Sequence, residues 1–91
     1  MTVDPRRLRF LLAVARYGGV LAGADELGVT ASAVSQQIAR LEAETGHALL
    51  KRTPSGSVLT PAGLALAEAG EDIERALAVA ARIPARPLSP E

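Results

Sequence analysis

Ser32, Ser35 and Gln36 fall at i, i+3 and i+4, with Arg40 at i+8, so on a helix all four share one face. Two hydroxyls and a carboxamide each donate and accept hydrogen bonds, and none titrates near neutral pH. The chemistry open to such a face is recognition of a polar surface. The same residues, with Gln37, would also serve as the wet side of an amphipathic helix. Against that stands their lack of charge: residues 30 to 39 contain no Asp, Glu, Lys or Arg. Solvated faces ordinarily carry such residues, as residues 61 to 83 do. An uncharged face flanked by Arg40 suits contact.

Bond-making chemistry finds little to build on. The 91 residues include no Cys and one His, so thiolate sites, disulfides and His-based metal sites are all disfavoured. His47 follows Gly46 and reads as a partly exposed turn residue. Glu68, Glu71, Asp72 and Glu74 read as the solvated side of a helix, with Glu71 and Arg75 at a favourable i, i+4 spacing. Glu42 and Glu44 fall at the far end of the segment that carries Ser32. No catalytic, cofactor-binding or metal-ligating residue is assigned, and neither enzyme activity nor a cofactor is expected. The apolar run Phe10 to Ala15 is far short of the roughly 20 residues a membrane span needs, and Asp4-Pro5 is not the start of a secretory signal. A soluble, cytoplasmic chain without a membrane partner is expected.

The elements that must position these residues follow from punctuation and period. Of the apolar 48%, 18 residues are Ala and only Phe10 and Tyr17 are aromatic, which predicts one small domain with a thin core of close-packed helices. Asp4-Pro5 caps and opens a first helix, with Val3 and Leu8 placed as a staple. Its inward face is predicted to be Leu8, Leu11, Leu12 and Ala15, and Gly18-Gly19 ends it. Val20, Ala24 and Leu27 mark a short second helix stopped by Gly28. Thr30 caps a third over residues 31 to 45, with Val34, Ile38 and Leu41 inward and Gly46 closing it. Residues 47 to 60 lose the helical period and gather turn formers at Thr53 to Ser57, predicting a two-stranded hairpin. Thr60-Pro61 opens a long helix that Pro84 must end. In it Ala62, Leu66, Ala69, Ile73, Ala76, Ala80 and Ile83 are spaced 4, 3, 4, 3, 4, 3, as in a coiled-coil seam. The Pro-rich stretch 84–91 reads as a tail or hinge.

Ala24, Gly28 and Val34 have the small residue, turn glycine and apolar residue of a helix-turn-helix, which would present the third helix to the major groove of DNA. The composite pattern is fuller still. LRFLLAVARYG, then ADELGVTASAVSQQIARLEAETGHALLKR, then LTPAG, from Leu8 to Gly63, resembles the N-terminal DNA-binding domain of the LysR-type transcriptional regulators. The resemblance implies a mainly α winged helix-turn-helix of three helices and a two-stranded wing (residues 1–60), a linker and dimerisation helix (61–83), and a tail or hinge (84–91). It also implies binding to interrupted palindromic operators in double-stranded DNA as a homodimer, with higher oligomers in a full-length protein. A small-molecule effector enters only with the C-terminal domain that the family's regulators carry.

Carried over by position, Thr30, Ser32, Ala33, Ser35 and Gln36 match residues that reach bases or phosphates, and Arg40 matches a basic position facing the backbone. Arg52, Thr53 and Ser55 match the strand end and wing, and Thr60 the cap of the linker helix, where Pro61 replaces a common acidic residue. For dimerisation the resemblance and the seam together point to Leu66, Ala69, Ile73, Ala76, Leu77, Ala80 and Ile83. Two stretches depart from the family: Gly19-Val20-Leu21-Ala22 lacks the usual polar and basic residues, and Pro54-Ser55-Gly56-Ser57-Val58 lacks the wing's cations. Each lost phosphate contact lowers the salt slope by roughly 0.9, so weak nonspecific binding is expected.

The net charge of zero is a cancellation. Residues 1 to 60 hold seven bases and five acids, and residues 61 to 91 three bases and five acids. A mildly basic head on an acidic arm fits a DNA reader. The competing reading is a helical dimerisation or interaction module with weak or lost DNA binding.

Overall fold

The computed structural model describes residues 2–85. In chain order, α1 covers Pro5–Tyr17, α2 Val20–Leu27 and α3 Ala31–Thr45; β1 (Leu50–Thr53) and β2 (Gly56–Leu59) follow, and α4 covers Pro61–Ala81. The two strands pair antiparallel with Leu50 opposite Leu59 and Thr53 opposite Gly56, leaving Pro54 and Ser55 as the turn. Together these form the winged helix-turn-helix that the sequence predicts, with a long helix attached.

Three of the four described helices, α1, α3 and α4, open on a side-chain cap as predicted. Asp4 accepts from the Arg6 amide at 2.9 Å, Thr30 from the Ala33 amide at 3.0 Å, and Thr60 from the Gly63 amide at 3.0 Å. Such caps contribute about 1 kcal/mol each. The Thr60 hydroxyl also donates to the Ala48 carbonyl at 2.6 Å, tying the opening of α4 to the chain entering β1. Gly28, at φ 69°, makes the left-handed turn between α2 and α3 that a residue with a Cβ would resist.

The core gathers Leu8, Leu11, Leu12 and Val14 of α1, Ala24 of α2, Val34, Ile38 and Leu41 of α3, Leu49, and Ala67 of α4. Burying each of the larger ones contributes about 2 kcal/mol. The inward face of α1 differs from prediction. Ala15 is exposed, whereas Ala13 and Val14 are buried, because α2 crosses α1 on that side. The crossing is set by Gly23 as well as Ala24: a Cβ on Gly23 would lie 3.0 Å from the Ala13 carbonyl carbon.

α4 departs further. Its inward stripe is Gly63, Ala67 and Gly70, with Ala62 and Leu66 packed against the core beside them. A Cβ on Gly63 would overlap the Leu49 carbonyl oxygen, and one on Gly70 would meet Leu12 Cδ2 at 3.2 Å. Gly70 therefore brings α4 close to α1 of its own chain. Beyond it Arg16 reaches across from α1, its Nε donating to Glu71 at 2.8 Å and its Nη2 to Glu74 at 2.6 Å. These contacts, Glu74 first, raise the Arg16 guanidinium above its ordinary value. The predicted Glu71–Arg75 pair does not form; Arg75 pairs with Asp72 instead. The helix also stops two residues earlier than the predicted 83. The amides of Arg82 and Ile83 bond three residues back, to Val79 and Ala80 at 3.1 Å, so the last turn tightens and Ile83 lies outside the helix. Pro84 explains this, since it disfavours helical backbone at the residue before it. Most of the predicted tail, residues 86–91, lies outside the described residues.

Candidate nucleic-acid interface

α3 is fixed from inside by Val34, Ile38 and Leu41, all fully buried. The opposite face is solvent-exposed and carries Ser32, Ser35, Gln36 and Arg40, brought together on one side of the helix as the spacing predicts. Thr30 and Ala33 lie at its opening turn. The Thr30 oxygen is occupied by the cap, which leaves its hydroxyl proton free to donate, and Ala33 is half-buried. Helix-opening amides and small polar side chains thus share one end of α3, where the helix dipole favours an anion.

Gln36 and its neighbour Gln37 differ in fate. Gln36 is exposed, whereas the Gln37 Oε1 accepts from Arg7 Nε at 3.2 Å. Arg7 also binds the Glu44 carboxylate, whose other oxygen accepts from the Asp4 amide at 3.3 Å. Glu42 likewise belongs to the frame: its Oε2 accepts from the amides of Leu49 at 2.8 Å and Leu50 at 3.3 Å, anchoring the start of β1 to the end of α3. Sequence reasoning placed Glu42 and Glu44 only at the helix end. Their partners lie on other elements, and the one available sign was that Gln37 and Glu44 are seven residues apart, on one stripe.

In the wing, Lys51 and Arg52 are exposed. The Thr53 hydroxyl donates to the Gly56 carbonyl at 2.6 Å and sits 3.3 Å from the Ser55 hydroxyl, so both hydroxyls also serve the turn. The entry of α2 and the wing tip, the two cation-poor stretches, line one groove of about 450 Å³ running from Gly18 to Ala22 and from Ser55 to Val58. None of its lining residues is charged, and Leu21 in it is 79% exposed.

At the opposite end of α1, Asp4 accepts from the Arg6 side chain and amide, which holds its carboxyl below the usual carboxylate range and raises Arg6 in turn. Among the described residues no group of three or more His, Cys, Asp or Glu could hold a metal ion, and no helix is long and apolar enough to cross a membrane.

The family model for bacterial regulatory helix-turn-helix proteins of the lysR family matches residues 5–64. The chain belongs to the lysR family. Within that family it is similar to the HTH-type transcriptional regulator CbbR of Sinorhizobium medicae, with 45% identity over 76 residues, 84% of this chain and 24% of that protein. An uncharacterised HTH-type transcriptional regulator of Mycobacterium tuberculosis is 49% identical over 57 residues, 63% of this chain and 18% of its own length. The chain thus spans about a quarter or less of the curated relatives it matches. Among solved structures, the DNA-binding domain of CbnR in complex with DNA superposes with a TM-score of 0.78 at 33% identity, over 87% of this chain and 91% of that one. Full-length LysG from Corynebacterium glutamicum gives 0.77 at 29% identity, over 87% of this chain and 27% of that one. These lysR-family matches bear out the winged helix-turn-helix, and the relatives are transcriptional regulators.

Proposed function

We propose that this chain is the operator-reading module of a LysR-type transcriptional regulator, with α3 in the major groove of double-stranded DNA. The observation that carries this reading is the uncharged, exposed face of Ser32, Ser35 and Gln36, ending at Arg40, on a helix whose inward side is locked into the core. The Gln36 carboxamide can pair with the N6 and N7 edge of adenine, the serine hydroxyls with bases or phosphates, and Arg40 and Arg52 with the backbone. Thr30, Ala33, Thr53 and Ser55 complete the contact surface.

Residues 1–60 then act as the head and 61–83 as an arm that pairs two copies through Ala69, Ile73, Ala76, Leu77 and Ala80, all exposed on α4. Two heads held in this way would fit an interrupted palindrome. Ile83 lies just past the helix end and Leu66 is partly covered by its own core, so both belong to the margins of that surface. A reader of this kind works in the cytoplasm, carries no catalysis of its own, and responds to a small molecule only through a further domain.

A second reading, a dimerisation module with weak DNA affinity, draws on one observation: the groove between the α2 entry and the wing holds no cation. Selecting bound duplexes from a random pool at controlled salt separates the two. The leading reading expects enrichment of an interrupted palindrome. Recovery of unselected sequence by a dimeric protein would overturn it in favour of the second.

A further inference from the structure

We infer that Arg7 is a positioning residue for DNA reading, setting the rotation and axial placement of α3 and so the aim of Gln36. The inference rests on the operator-reading role of α3. Apolar packing through Val34, Ile38 and Leu41 holds α3 against the head, but the attraction itself is non-directional, so directional contacts sharpen the rotation and slide that packing allows. The directional contacts of α3 with α1 come from one short stretch. Arg7 donates from Nε to Gln37 at 3.2 Å and from Nη1 to Glu44, while the Asp4 amide donates to Glu44 at 3.3 Å.

The geometry suits such a role. Gln37 and Glu44 lie two turns apart on one stripe of α3, roughly 10 Å along its axis, and their side chains converge on one guanidinium, which so ties two positions half a helix apart. Its planar fork binds both acceptors in set directions, which a lysine ammonium on a flexible stem does not. The side chains of Arg7 and Glu44 are only 22% and 23% exposed, so solvent screens this pair less than the outer Arg6–Asp4 pair, where Arg6 is 90% exposed. Gln36 precedes Gln37 by one residue, about 100° round the helix. Whatever fixes the rotation of α3 at Gln37 therefore fixes the direction in which the Gln36 Cα–Cβ bond leaves the surface. A recognition group displaced by more than about 0.5 Å loses its hydrogen-bond geometry.

The test measures the ratio of affinity for the selected duplex to affinity for random duplex at one salt concentration, well below the melting temperature. Arg7→Ala is expected to lower that ratio about tenfold and to shrink the effect of Gln36→Ala when the two are combined. Gln37→Met and Glu44→Gln, which leave the head's charge the same or more positive, are expected to lower it about threefold. Should Arg7→Ala fail to fold, these two carry the test. Arg7→Lys is expected not to restore the ratio. Arg6→Ala removes the same charge without touching α3 and is expected to leave the ratio unchanged. A ratio within twofold of wild type in the folded Arg7, Gln37 and Glu44 variants, with only the melting temperature lowered, would overturn the inference and assign Arg7 to stability alone. If the wild-type chain itself shows no preference, the operator-reading role fails first and this inference fails with it.

Discussion

α3 and α4 each pack one stripe of side chains against the head and leave others in solvent, and what they leave there differs in kind. α3 exposes Ser32, Ser35, Gln36 and Arg40, whereas α4 exposes Leu64, Ile73, Leu77 and Val79, of which Leu77 is 64% exposed. A polar face of this kind is stable in water and can exchange its hydrogen bonds to water for bonds to base edges. Exposed Leu, Ile and Val side chains gain only when another apolar surface covers them. The chain therefore presents one face suited to a polar ligand, on α3, and another suited to a second helix, on α4.

The inward stripes differ too. α3 fills the core with Val34, Ile38 and Leu41, while α4 contributes Gly63, Ala67 and Gly70, small residues that let its backbone come close to Leu49 and Leu12. This is why the two helices were not equally legible. In α3 the large residues face in and the polar ones face out, so period alone assigns both sides. In α4 the residues that meet the head, Gly63, Ala67 and Gly70, have little or no side chain, and the bulkier Ile73 and Leu77 come later, where the helix is exposed. A seam of Ala with a few large residues fits several stripes, so the spacing assigns Leu66 to the partner surface although it also packs at home. The ties that orient the helices were not legible at all. Arg16 meets Glu71 and Glu74 across 55 and 58 residues, and Arg7 meets Glu44 across 37. Local spacing carries no signal for pairs so distant, and the visible i, i+4 pair Glu71–Arg75 lost to one of them.

The contrast can be broken by exchanging the chemistry of either face. The largest effect is expected for Leu77→Asp: an unpaired charge in a helix pair weakens it by at least 3 kcal/mol, more than a hundredfold in dimer dissociation by sedimentation. The head should melt within a few degrees of wild type, because Leu77 is exposed there. A dimer of unchanged strength would remove α4 from the interface.

Next comes the inward stripe. Gly63→Ala places a Cβ against the rigid Leu49 carbonyl and is expected to cost about 2 kcal/mol, on the order of 10 °C in melting temperature. Gly70→Ala meets only the movable Leu12 side chain, and its change should stay under about 1 kcal/mol. Equal responses would mean that the approach at Gly63 is no tighter than that at Gly70.

The smallest effect concerns acid. Because Arg6 holds the Asp4 carboxyl below its usual value, the stabilisation is fully present above the ordinary carboxylate range and fades as pH falls through the lowered folded value. Asp4→Asn keeps a capping oxygen but removes the charge, so the slope of melting temperature against pH below about 4 should flatten slightly. A steeper slope in the variant would reverse the assigned sign.

The central claim is that the exposed face of α3 reads bases while the wing cation holds the backbone. Measuring affinity for every single-base variant of the selected duplex, for Gln36→Ala and Arg52→Ala in parallel, tests it directly. Gln36→Ala should lose about 1 to 3 kcal/mol of discrimination at one position of each half-site, whereas Arg52→Ala should weaken all sequences alike and lower the salt slope by about 0.9 per contact. Identical, position-independent losses in the two variants would contradict it.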